Sequence, residues 1–255
     1  MARIISIANQ KGGVGKTTTA VNLSASLAFR GKKILLIDCD PQGSAASALG
    51  LGNQSEAATI YDVIINGVNA RAAVQQSEYG VELIPANIDL AGAEVELATM
   101  PEREFKMRAA LEPLHDEYDF ILIDCPPSLG LLTLNSLNAS DSIIIPIQCE
   151  FYALEGVTQL LHTIELVKSN FNPLLAIDGV LLTMYDARTR LSQQVVDEVK
   201  KNFGYLVYET LIPRNVRLSE APSFGMPVIA YDRRSRGTQV YLNLADEILK
   251  SNQQR

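Results

Sequence analysis

Cysteine is scarce in this chain: Cys39, Cys125 and Cys149 are the only three among 255 residues, and none form a C-x-x-C pair. An odd, widely spaced set excludes a disulfide framework and implies reduced thiols in a cytosolic protein. Long apolar runs are missing too. None approaches the roughly 18–20 residues of a membrane span. There is no leader-like segment: Met1-Ala2-Arg3-Ile4-Ile5 runs straight into strand-like sequence, so no secretory signal is expected ahead of the fold. No linker, internal repeat or low-complexity tract interrupts the chain, and residues 1–255 are expected to form a single domain.

A surplus of positive charge is also lacking. Twenty-two basic and 29 acidic side chains leave a net charge of −7, which globally argues against a nucleic-acid binder. The distribution is uneven, however. Residues 185–236 carry nine basic and six acidic side chains, net +3, while the remainder carries thirteen against twenty-three, net −10. What the chain does have is 47% hydrophobic and 20% charged residues, which excludes a disordered or collagen-like polymer. At this length roughly 70–75% of the unfolded surface should be buried without staples.

Short β-rich runs alternate with helical stretches. Strands are expected at 3–9, 33–38, 81–85, 120–124, 142–147, 179–184 and 206–212, and helices at 15–29, 102–117, 153–168, 191–202 and 238–250. Most of the strand runs are continuous Val/Ile/Leu, as in strands buried on both faces of a parallel sheet. The pattern predicts an α/β fold, a mostly parallel twisted sheet with helices on both faces. The turn-rich segment 50–72 is expected to be a mobile excursion.

The strongest local signal is Lys11-Gly12-Gly13-Val14-Gly15-Lys16-Thr17-Thr18, which follows a strand and opens a helix. Glycines let successive N–H groups converge on an anion, and the helix adds its positive end. In such a loop Lys16 reaches the β- and γ-phosphates, Thr17 binds Mg²⁺ and Thr18 meets the α-phosphate. The expression G-x-x-x-x-G-K-[ST] is broken at its first position, which is Gln10, and a second lysine, Lys11, is gained. The fold is therefore read as P-loop NTPase-like with a deviant Walker A loop.

Asp38 and Asp124 each end a β-run, where ligands of open α/β sheets bind, and are candidates to hold Mg²⁺ directly or through water; a turn or helix cap is the alternative. Asp40, two residues past Asp38, is a candidate to orient the attacking water, with an Asx-turn before Pro41 as its alternative.

The segments Asn9–Thr19, Leu35–Gly43, Ile121–Gly130 and Ile212–Pro222 resemble the ParA/Soj-type partitioning ATPases, within the deviant Walker-A group that also contains MinD. Together with Gly179–Thr189 they resemble the chromosomal branch in particular. The resemblance implies ATP and Mg²⁺ as cofactors and an ATP-driven homodimer. In that dimer Lys11 reaches the partner's phosphates and Gly12 packs at the interface, while Pro213 and Asn215 lie beside the adenine. It implies sequence-independent DNA binding by the dimer, with Arg188 and Arg217 as main candidates and Arg190, Arg214 and Arg236 as secondary ones. Surface salt bridges are the alternative role for these arginines. It further implies slow hydrolysis stimulated by a ParB-like centromere-binding partner, and a cytoplasmic, nucleoid-associated protein.

Three rivals share the fold. A MinD-like membrane ATPase needs a C-terminal helix with a basic polar face, but Asp246 and Glu247 occupy that face here. An iron-protein-type redox ATPase needs two well-placed cysteines, and Cys125 has no suitable companion in sequence. A metabolic ligase needs a second-substrate constellation that the sequence does not display.

Overall fold

The computed structural model describes residues 1–52, 57–151 and 154–253. The chain runs β1 (Arg3–Ile7), α1 (Lys16–Phe29), β2 (Ile34–Asp38), α2 (Ser44–Ala48), α3 (Ile60–Ile64), β3 (Gln75–Gln76), β4 (Val81–Ile84), α4 (Leu90–Leu97), α5 (Lys106–Leu111), β5 (Phe120–Asp124) and α6 (Leu131–Ala139). It continues with β6 (Ser142–Gln148), α7 (Glu155–Asn170), β7 (Ala176–Thr183), α8 (Arg190–Phe203), α9 (Val216–Glu220), α10 (Val228–Tyr231) and α11 (Arg236–Gln253). The seven strands form one sheet in the order β3-β4-β2-β5-β1-β6-β7. All neighbours are parallel except the two-residue β3, which pairs antiparallel with β4.

The continuous apolar runs have a direct cause. Successive side chains of a strand point to opposite faces, and here both faces are covered. Leu35, Ile37, Ile121 and Ile123 join the core beneath α3 to α8. Ile34, Leu36, Phe120 and Leu122 join the core beneath α1, α2 and α11. A strand with one wet face would alternate polar and apolar instead.

Several expected elements differ. Residues 206–212 do not form a strand. After a 3₁₀ turn at Gly204–Leu206 the chain meets β7 at separate points, the bridge Val180↔Val207 and the Ile212 N–H on Leu182 O (2.9 Å), and a second isolated bridge, Tyr185↔Pro213, lies past the end of β7. The Thr210 amide, which would extend the ladder between those of Tyr208 and Ile212, donates instead to the Glu247 carboxylate on α11 (3.2 Å), as the Glu209 amide does (2.7 Å). The expected helix 102–117 shrinks to α5 and a 3₁₀ turn at Glu112–Leu114, because Pro113 cannot continue an α-helical ladder. The segment 50–72 is no simple excursion. It contains α3, whose start is fixed by the Asp62 carboxylate accepting from Thr59 N–H (2.9 Å), and whose Ile60, Val63 and Ile64 are buried in the core. Asn53, one of the turn residues read there, and Ala153, the expected start of the seventh helix, lie outside the described residues. α2, α4, α6, α9, α10 and β3 were not anticipated.

Candidate active site

The loop between β1 and α1 sits at the carboxyl ends of the parallel strands. Gly13 and Gly15 have φ of +74° and +88°, a left-handed conformation that glycine tolerates best. Three contacts hold the loop. Asn9 donates to Pro146 O (2.6 Å) and accepts from Lys11 N–H (3.0 Å). The Thr183 hydroxyl donates to Val14 O (2.8 Å), tying the loop to the end of β7. No side chain caps α1, so its first-turn N–H groups are open to an anion. Lys16 is buried, and its Nζ lies 3.4 Å from Lys11 O. Burial lowers its pKa, opposed by the charges of Asp124, Cys125 and Asp40.

Asp38 and Asp124 are register partners across β2 and β5. Both are fully buried, yet they are served differently. Asp38 accepts from the backbone N–H groups of Asp40 (3.0 Å) and Ala45 (2.9 Å), one on each oxygen. Burial still pushes its pKa up to about 7, with Asp40 adding to the rise. Neither oxygen of Asp124 has a hydrogen-bond partner among the described residues. Burial and the nearby Asp38 raise its pKa well above the carboxylate range, while the Thr17 hydroxyl, nearby but without hydrogen-bond geometry, and the Lys16 ammonium oppose that rise. An orphaned buried carboxylate beside a hydroxyl is satisfied by a hard divalent cation that shares nucleotide oxygens, so these residues fit Mg²⁺. Asp40 is partly buried; its Oδ1 accepts from Gln42 N–H (3.0 Å), the Asx-turn contact, and Gly43 N–H closes the turn on Asp40 O (2.9 Å).

Lys11 is half-buried and Gly12 and Gly13 are exposed. A Cβ built on Gly12 meets nothing within 4 Å. Beside the loop lies a cavity of about 350 Å³, lined by Gly15 and Thr18 on one side and by Ile212, Pro213, Asn215 and Tyr241 on the other. Pro213 and Asn215, some 200 residues away in sequence, are thus brought against the phosphate loop. Asn215 Oδ1 is already engaged, capping α9 by accepting from Arg217 N–H (2.8 Å).

The candidate arginines divide. Arg188, Arg214 and Arg236 line a second concavity of about 410 Å³, whereas Arg217 sits on α9 and Arg190 starts α8, neither among its lining residues. Ion pairs are present for the two main candidates: Arg188 with Asp186 (2.8 Å), and Arg217 with Glu220 (2.8 Å) and Asp232 (3.3 Å).

Sequence reasoning missed Thr183, Asn9, Asn22 and Tyr241. Asn22 donates to Thr18 O (2.7 Å) and accepts from Val228 N–H (2.7 Å), so it braces α1 against α10. The Tyr241 hydroxyl pairs with Thr19 (3.3 Å). Only Asn9, inside the loop motif, had a local signal; the others read as ordinary helix or strand residues.

The rivals can be set against the same geometry. Cys39, Cys125 and Cys149 are free and buried, and no group of three or more His, Cys, Asp or Glu residues suited to a metal occurs among the described residues. On α11, Tyr241, Leu244, Ala245 and Ile248 are buried in the core rather than facing out. No helix among the described residues is long and apolar enough to cross a membrane.

A parallel sheet with this loop at its carboxyl edge defines the chain as a P-loop NTPase fold with a deviant Walker A loop. A family model described as "AAA domain" matches residues 2–177. Sporulation initiation inhibitor protein Soj of Bacillus subtilis is 56% identical, covering 97% of this chain and 98% of its own. Chromosome partitioning protein ParA of Myxococcus xanthus is 54% identical over 98% and 89%. Cobyrinic acid a,c-diamide synthase from Mycobacterium smegmatis, solved with bound ADP and magnesium, matches with a TM-score of 0.88 at 39% identity over 99% of this chain and 96% of that one. The chain belongs to the ParA/Soj family of chromosome-partitioning ATPases.

Proposed function

We propose that this protein is a Mg²⁺-dependent ATPase that partitions DNA by cycling between an unpaired and a paired state. The observations that carry the reading are the nucleotide-sized cavity between the phosphate loop and the Pro213–Asn215 segment and the orphaned carboxylate of Asp124 at the end of β5. The loop N–H groups and Lys16 bind the phosphates, Thr18 meets the α-phosphate, Pro213 and Asn215 flank the base, and Thr17, Asp38 and Asp124 would hold Mg²⁺. The cation would neutralise phosphate charge during transfer. Asp40 positions the water at the γ-phosphate.

Lys11 reaches the phosphates of a second copy. A charge-assisted bond is worth roughly 1.5–3 kcal/mol, so two such contacts contribute about 3–6 kcal/mol. Turning a 1:99 equilibrium into 99:1 takes about 5.5 kcal/mol, so these lysines can supply most of the switch. Gly12 supports the same arrangement. A Cβ there would touch nothing among the described residues of its own chain, which leaves room at this position for a partner copy.

The pair of copies binds DNA phosphates through Arg188 and Arg217, without reading bases. Pairing doubles the contacts and thereby offsets the acidic charge of each copy. A ParB-like protein stimulates hydrolysis and releases the DNA, so the protein works in the cytoplasm on the nucleoid. Two relatives above 50% identity named for sporulation or chromosome partitioning support this over the synthase chemistry named at 39%. The test is binding to two unrelated duplexes with ATP, ADP and no nucleotide. Tight binding to both duplexes with ATP alone is expected; equal binding in all three states, or in none, refutes the reading.

A further inference from the structure

Pro213, Arg214 and Asn215 form a wall with a cavity on each side. One is the nucleotide cavity of about 350 Å³. The other is the concavity of about 410 Å³ that also carries Arg188 and Arg236. Arg214 is the one charged residue of the wall. Its backbone is anchored, with the N–H donating to Tyr185 O (3.1 Å). Its head lies at the surface: the side chain is 63% exposed, and Nη2 donates to Glu150 Oε1 at 2.8 Å, just past the end of β6. Arg214 also helps hold Asp186, the carboxylate that pairs with Arg188, in its charged form. Two carboxylates therefore offset two of the three arginines of the concavity in the empty chain, Asp186 on Arg188 and Glu150 on Arg214.

We propose that Arg214 serves both sites: a nucleotide packed in one cavity orders this side chain, which then offers its guanidinium to a DNA backbone phosphate in the other, and Glu150 is the carboxylate that the phosphate displaces. The inference rests on the DNA-partitioning reading above. Ordering a long side chain carries an entropic cost, and a nucleotide that has already ordered Arg214 removes it from the second binding event. The pair with Glu150 is exposed and therefore weak, whereas a phosphate can take the guanidinium fork bidentately. Glu150 thus lowers the affinity of the empty chain for DNA without blocking the occupied one. By linkage, DNA must raise nucleotide affinity by the same factor that nucleotide raises DNA affinity.

The test measures duplex binding at low salt, and nucleotide binding without DNA, for the full chain and for Glu150→Gln, Arg214→Ala and the double variant. Glu150→Gln is expected to tighten DNA binding about two- to fivefold per contact, in the nucleotide-free and the nucleotide-bound protein alike, and to leave nucleotide affinity unchanged. Arg214→Ala should weaken both ligands, and Glu150→Gln should then have no further effect. A Glu150→Gln protein whose nucleotide-free DNA binding is unchanged overturns the inference, as does an Arg214→Ala protein weakened toward only one ligand. If the unaltered chain binds DNA in no nucleotide state, the partitioning reading falls and the inference with it. ATP-dependent DNA binding combined with a silent Glu150→Gln overturns the inference alone.

Discussion

Replacing Thr183 by valine removes one hydroxyl and keeps the shape of the side chain. That hydroxyl donates to Val14 O at 2.8 Å, and Val14 is only 1% exposed, so water cannot readily replace the lost donor. A buried carbonyl left without a partner costs about 1–3 kcal/mol. The chain can keep the loop and bear that cost, or rotate the peptide toward another donor. The Val14 carbonyl and the Gly15 N–H belong to one rigid peptide plane, so rotation carries the Gly15 N–H away from the phosphates. Nucleotide affinity should then fall by about 5- to 100-fold, since ~1.4 kcal/mol is tenfold. Thr183→Ser, which retains the donor, should recover most of it. Titration with a fluorescent ATP analogue reads the affinity, and urea unfolding without nucleotide reads the stability cost in parallel. A folded Thr183→Val protein that binds nucleotide like the parent refutes the argument that this bond shapes the phosphate loop.

Lys16→Ala should abolish nucleotide binding, while Lys11→Ala should retain ADP and fail to pair with ATP; sedimentation of both decides, and normal pairing by Lys11→Ala rules out the cross-subunit contact. Asp40→Ala should hold ATP and accumulate the paired form, and undiminished phosphate release would exclude its role in positioning water. Arg217→Ala should reduce the magnitude of the log K against log [salt] slope by about 0.9 per contact, or about 1.8 per pair; an unchanged slope in a salt titration sinks the phosphate-contact role. Burial raises Asp38 to about 7 and shifts Asp124 in the same direction, so the folded chain keeps protons that the unfolded chain releases. Stability without nucleotide should therefore fall as pH rises from about 4 toward 7, by ~4 kcal/mol at most for Asp38. Urea unfolding at pH 5 and pH 7.5 checks this; a flat profile counts against it.

The phosphate loop was legible because its information is contiguous: three glycines, two lysines and two threonines lie within eight residues. The strands were legible because burial on both faces writes an unbroken apolar run. α6 was not, because Thr133, Asn135, Ser136 and Asn138 are polar yet buried; their side chains bond to backbone carbonyls, as Asn135 does to Arg103 O (2.8 Å), and that long-range satisfaction leaves no periodic signature. Residues 206–212 read as a strand because Leu206, Val207, Leu211 and Ile212 are strand-like, but strand formation also depends on where the amides point, and the competitor, Glu247, stands 37 residues downstream. The same holds at the site. Asn22 meets Val228 and Thr183 meets Val14 across 206 and 169 residues, so neither pair carries a local pattern.

The stretch 207–213 also has a bearing on how the protein keeps from clumping. Tyr208 N–H donates to Val180 O (3.0 Å) and Ile212 N–H to Leu182 O (2.9 Å), so this stretch covers the outer edge of β7, as the short β3 covers the other end of the sheet. Uncovered edges invite pairing with other chains. The same stretch runs into the wall of the proposed nucleotide cavity at Ile212 and Pro213, so a nucleotide held there would brace the guard of that edge. Solubility should then follow ligand occupancy: concentrated stocks without nucleotide should aggregate before stocks kept in Mg-nucleotide.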